Sequence, residues 1–151
     1  MANTGLQDSK VVWVTNPAAI VDDAAFTTAE VDTKGYNHAT LILRLGATDV
    51  AMAALAVTES DTTGSGHGNI AVFGTTTLID GSTSAIPGNT AGNTTHVVEM
   101  DLRSRKRFID VTATAGNGST GTYLTALCLL TAGGEQKQDS SSRGHDQTIR
   151  L

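Results

Sequence analysis

The sequence predicts an all-β fold, a single-domain antiparallel β-sandwich or jelly roll with an extended C-terminal arm, and three observations carry that expectation. Thr and Gly are abundant while Lys, Glu, Gln and Arg are sparse; Thr suits strands and Gly suits turns. Short runs alternate apolar and polar residues with a period of two, which puts one face of a strand in a core. Stretches rich in Gly, Ser, Thr and Asn separate these runs at roughly regular intervals, as in sandwiches and jelly rolls.

The elements follow in order. Residues 10–14 form a short strand ended by Asn16-Pro17, and residues 26–33 form a second. Gly35 supplies the turn into a third, residues 36–45, where Leu41, Leu43 and Leu45 share one face and Thr40 and Arg44 the other. Residues 47–59 contain enough alanine for a helix, yet Ala54-Leu55-Ala56-Val57-Thr58 before a Gly-rich loop favours a strand. Residues 60–69 and 80–95 are loops by composition. Residues 96–102 place Val98, Met100 and Leu102 inward, and residues 108–113 do the same with Ile109, Val111 and Ala113. Residues 107–115, the Gly-Asn-Gly-Ser-Thr-Gly of 116–121 and residues 122–131 read as a β-hairpin, because an Asn-Gly step permits the positive φ of a tight turn. The nearly continuous apolar run of 122–131 predicts a central strand covered on both faces.

Three segments result: an N-terminal arm (1–9), the sandwich (10–132) and an extended tail (133–151). The tail has no apolar period. It reads as an arm that orders against a neighbouring subunit, with a frayed terminus as the alternative. Leu, Ile, Val and Phe make up about a fifth of the chain. A core so thin predicts that a subunit interface supplies part of the stability, the alternative being a marginal monomer.

A net charge of −5 argues against general nucleic-acid binding. No apolar run approaches the roughly 20 residues of a membrane helix, and the first residues lack the basic start and apolar stretch of a signal peptide. One cysteine, Cys128, excludes an internal disulfide and points to synthesis in a reducing cytoplasm.

No residue set reads as an active site, so no enzyme activity and no cofactor are expected. Cys128 lies in Leu127-Cys128-Leu129-Leu130, the setting of an inert buried thiol. His38, His67, His96 and His145 are dispersed without metal-ligand spacing. Gly64-Ser65-Gly66 follows a Thr-rich loop instead of a strand, and residues 116–121 lack the lysine of a phosphate loop. Glu59 and Asp61, with Asp49 and His67 nearby in sequence, leave two readings: a calcium-binding loop or a solvated one. Trp13, Tyr36 and Tyr123 are isolated and expected to be packed, which disfavours an aromatic platform for carbohydrate.

One cluster has the opposite sign to the chain. Arg103, Arg105, Lys106 and Arg107 follow Asp101-Leu102 between two strands. They read either as a docking patch for acidic surfaces or as a solvated turn.

Several phrases resemble small virion proteins of tailed bacteriophages. They are Asp32-Thr33-Lys34-Gly35-Tyr36-Asn37-His38-Ala39-Thr40 with the following Leu-Ile-Leu, Leu45-Gly46-Ala47-Thr48-Asp49, Leu55-Ala56-Val57-Thr58-Glu59-Ser60-Asp61, the basic turn through Phe108, and the strand from Gly121. The resemblance implies a capsid decoration (cement) protein that sits on the virion as a homotrimer, grips the major capsid protein with terminal arms, and needs neither membrane nor nucleic acid. Its contacts would be Arg103, Arg105, Lys106 and Arg107 in the turn, and Arg143, His145, Ile149, Arg150 and Leu151 in the arm. Two other functions remain open: a receptor- or carbohydrate-binding module of a phage tail or fibre, and a jelly-roll capsid protein that forms the shell itself.

Overall fold

The computed structural model describes residues 8–132. Eight strands run through them: β1 (Lys10–Thr15), β2 (Val31–Asp32), β3 (His38–Thr48), β4 (Ala54–Ser60), β5 (Gly68–Val72), β6 (Thr95–Asp101), β7 (Phe108–Thr114) and β8 (Thr122–Thr131). A single 3₁₀ turn, Leu102–Ser104, follows β6. Sheet I has the order β1-β8-β3-β6 and sheet II the order β2-β7-β4-β5, with every pairing antiparallel. Successive strands alternate between the sheets except for the β4–β5 pair. That is the jelly-roll order, in which two Greek keys close over one core.

The alternation read from the sequence sets which face is buried. Leu41, Leu43 and Leu45 of β3 meet Leu124, Cys128 and Leu130 of β8 on the inner side of sheet I, opposite Leu55, Val57, Ile109 and Val111 of sheet II. Each large aliphatic side chain so buried contributes about 1.5–3 kcal/mol. Leu41, Leu43, Leu45 and Val57 are fully enclosed.

The strands at 10–14, 36–45, 54–58, 96–102, 108–113 and 122–131 appear close to their expected bounds. Three expectations fail. The segment 107–131 is not a hairpin, because β7 belongs to sheet II and β8 to sheet I. Neither Asn117 nor Gly118 takes a positive φ; only Gly121 in that loop does, at 85°. The loop crosses between sheets, and carboxylates from elsewhere hold it: Asp22 accepts from the Gly118 amide at 2.8 Å, and Asp49 accepts from those of Ser119 and Thr120 at 2.6 Å each. Residues 26–33 yield only the two-residue β2. The Phe26 amide bonds to Ala113 of β7 and the Ala29 amide to Val14 of β1, so this stretch straps one edge of the sandwich instead of joining one ladder. Strand β5 falls where the sequence reads as loop, since Gly68 and Asn69 are turn formers.

Candidate docking surfaces

The basic turn sits where β6 ends and β7 begins. Asp101 caps the 3₁₀ turn by accepting from the Arg103 amide at 3.1 Å and from its guanidinium. Arg107 makes a two-pronged pair with Asp32 of β2 at 2.8 and 2.7 Å and stacks over Phe108 at 4.8 Å. Arg105 lies 3.8 Å from Glu59 of β4, which also accepts from the Lys106 amide at 3.1 Å. The three arginines are thus matched by three carboxylates of the same chain, and the turn fastens the ends of β2, β4, β6 and β7. The Arg107 guanidinium holds the Asp32 carboxyl down to about 2, and the Arg103 guanidinium holds Asp101 well below the usual carboxylate range. All four cations remain exposed at the surface. Arg143, His145, Ile149, Arg150 and Leu151 lie outside the described residues.

The acidic group that admitted an ion is dispersed. Asp49 anchors the 119–121 amides, and Glu59 faces Arg105. His67 Nε2 lies 2.8 Å from Glu30. Among the described residues no three such ligands converge. Thr58 Oγ1 approaches His67 Nδ1 at 3.4 Å while also bonding to the Asp110 carbonyl at 3.3 Å. A hydroxyl, imidazole and carboxylate in line invite comparison with a nucleophile relay, but Thr58 is buried. The relay works as a staple: it draws residues 61–67 over sheet II, helped by the Thr63 and Gly64 bonds to Glu30. Burial pushes the Cys128 thiol up to about 12, far from a reactive thiolate.

The surface that sequence reasoning missed is the outer face of sheet I. Strand register carries one apolar row across all four strands: Trp13 pairs with Leu127, Leu127 with Ile42, and Ile42 with Val97. The next row holds Val11, Leu129, Thr40 and Glu99. Trp13 is 47% exposed, Val97 55% and Tyr123 44%. The aromatic residues expected to be packed are therefore open, with the exception of Tyr36, which packs partly against the core. A bulge in β1 between Trp13 and Thr15 turns Val14 and Thr15 inward beside each other and leaves Trp13 facing out. Gly46 makes room for Tyr123: a Cβ there would come within 2.9 Å of the tyrosine Cβ. The signal was present in the second apolar set of β8, Leu127 and Leu129. The continuous apolar run predicts a strand covered on both faces, whereas Leu127 and Leu129 on the outer face remain partly exposed.

A second opening lies between the edges of β5 and β6. It encloses about 990 Å³, lined in part by Ile70, Phe73, His96, Val98 and Met100. His96 meets Phe73 edge-on at 5.7 Å between ring centres, and burial lowers its pKa.

No protein-family model and no curated protein matches this chain. Among solved structures, the crystal structure of the SPBc2 prophage-derived protein YomS is similar, with a TM-score of 0.50 and 11% identity. The match covers 87% of this chain and 100% of that one. At that identity the likeness is one of fold.

Proposed function

We propose that this chain is a structural protein of a tailed-phage virion that binds the outside of the capsid and stabilises it. The observation that carries this reading is the apolar row Trp13–Leu127–Ile42–Val97, exposed at Trp13 and Val97 and half-buried at its centre. A contiguous apolar patch on a well-packed domain marks a surface that another molecule covers. The jelly-roll order supports the reading, since viral capsid domains use that architecture. The likeness to a prophage-derived protein along its whole length supports it too.

In this reading the partner is the major capsid protein and the working state is a homo-oligomer, acting without cofactor or catalysis. Arg103, Arg105, Lys106 and Arg107 add contacts at one end of the sandwich, and the segment with Arg143, His145, Ile149, Arg150 and Leu151 serves as the gripping arm. Stabilisation follows from mass action, because a ligand that binds only the assembled shell favours assembly. Repetition over symmetric sites multiplies weak contacts.

Sedimentation with undecorated tailed-phage capsids tests this. The chain should co-sediment and raise the melting temperature of the particle, while a variant lacking residues 135–151 stays in the supernatant. A chain that stays free of every capsid removes the reading. Two other functions have an observation each in their favour. The jelly-roll order fits a shell-forming protein, which would build closed particles alone. The exposure of Trp13 and Tyr123 fits a glycan-binding tip, which would register on a glycan array.

A further inference from the structure

The outer face of sheet I has a geometry that selects its partner. Its columns run β1, β8, β3, β6, and the middle of the face lies between β8 and β3. A two-fold axis along that midline, parallel to the strands, exchanges β8 with β3 and β1 with β6 without changing the row. The apolar row then meets itself reversed. Trp13 of one copy lies over Val97 of the other, and Leu127 lies over Ile42. In the next row, Leu129 meets Thr40 and Val11 meets Glu99. Arg44, which bonds to Thr95 at 2.8 Å, meets Thr125. The charged groups Glu99 and Asp101 fall at the rim on β6, Arg44 stands beside the apolar row on β3, and none of the three faces a like charge. An apolar centre with a polar rim is the usual anatomy of a specific interface, and self-matching about a two-fold axis is the requirement for an isologous pair.

We infer that two copies of this chain pack sheet I against sheet I across this axis, as a two-fold pair and not as the trimer implied by resemblance to decoration proteins. The inference rests on the reading of this face as a docking surface and assigns it to a second copy, which leaves the basic turn of Arg103, Arg105, Lys106 and Arg107 and the segment 135–151 to meet the capsid. The face spans about 14 Å from β1 to β6 and about 20 Å along the strands from Tyr123 to Leu129. A pair would therefore bury roughly 600–1,000 Å² once side-chain relief is counted, the range of a weak, concentration-dependent interface. Sheets stacked in this way sit about 10 Å apart, which leaves room for Trp13 to interdigitate with the smaller Val97. Side chains on the outer face of sheet II are mostly small or polar, with Ala56, Thr58, Ser60, Asp110 and Thr112 among them, and its larger apolar groups, Phe108 under Arg107 and Val72, sit apart on different strands, so that face offers no comparable row.

The test is light scattering on the full chain across a concentration series. Wild type should approach twice 15.6 kDa. The double variant W13K/V97K puts lysine over lysine across the axis and should remain monomeric, with far-ultraviolet circular dichroism unchanged because both positions are exposed in the single chain and with the concentration dependence of melting lost. The variant W13K/V97E puts each introduced lysine over an introduced glutamate of the other copy and should regain the dimer, in a salt-sensitive way. A wild type that is monomeric or trimeric at every concentration overturns the inference, as does a W13K/V97K protein that still pairs. Failure of W13K/V97E to recover the dimer overturns the stated axis. Capsid co-sedimentation of the wild type separates the two claims: a wild type that stays monomeric and still binds capsids retires the pair but leaves the virion reading in place, and a dimer that binds no capsid retires the virion reading alone.

Discussion

The two outer faces of this sandwich are built from the same kind of strand and end up chemically opposite. Sheet II places Ala54, Ala56, Thr58 and Ser60 of β4 beside Thr114, Thr112, Asp110 and Phe108 of β7. Residues 61–67 fold back over part of it, held by the Ser60 hydroxyl on the Ser65 carbonyl and by the His67–Glu30 pair. Ala56, Thr58 and Ser60 are buried by the chain itself, while Thr112 stays exposed. Sheet I places Trp13, Leu127, Ile42 and Val97 in one row and covers none of them with a described residue. The contrast shows that a strand's second face has to be judged separately from its first. A small polar second face can be closed by a local loop, whereas a row of large apolar groups calls for another molecule.

The largest expected effect comes from crossing between the inner and outer sides of one strand. Leu43→Ala in β3 removes a fully enclosed side chain and should cost about 2–5 kcal/mol in urea unfolding. Ile42→Ala, next to it on the outer side, should cost about 1 kcal/mol or less in the monomer. Equal losses would mean that the outer face is already closed. Next comes the cross-sheet loop. A Cβ at Gly116 would sit 2.1 Å from the Ala51 carbonyl oxygen, so Gly116→Ala should destabilise by about 1–3 kcal/mol through a forced backbone shift.

A smaller effect concerns acid. The Asp32 carboxyl is lowered from 3.8 to about 2 in the folded chain, first by its hydrogen bond to Arg107. A depressed folded value stabilises fully above the unfolded value and is lost as pH falls through the folded one. The stabilisation should therefore fade between about pH 4 and pH 2. Both partners are more than a third exposed, so the pair is worth about 0–1 kcal/mol. Asp32→Asn should flatten the acid limb of the stability curve by that amount. The smallest effect sharpens the comparison of faces: Thr112→Lys, exposed on sheet II, should shift stability by less than about 0.5 kcal/mol and leave the solution mass unchanged.

Much of this architecture was legible in the sequence, and the failures have physical causes. Leu41, Leu43 and Leu45 announce an inner face because three large residues at period two have no other use. The cross-sheet loop was misread as a hairpin because Asn117-Gly118 is a local turn signal, whereas Asp22 and Asp49 lie at least 68 residues away along the chain and leave no local trace. Strand β5 was hidden because its ladder with β4, not its own composition, makes it a strand. The basic turn was visible as a cluster, but its pairing with Asp32 and Glu59 depends on which strands end together. The apolar row needed the register of four strands, which no single segment encodes.

The position of β8 also bears on how the molecule comes into being. It lies between β1 and β3 in sheet I, so the last of the described strands to leave the ribosome is an interior one. Until Thr131 has been made, β1 has no neighbour in its sheet and β3 has only β6. At about 5–20 residues per second of synthesis, the earlier strands wait for seconds with open edges. Nascent chains released before residue 122 should therefore be captured by chaperones or degraded, and the fold should close in one late, cooperative step.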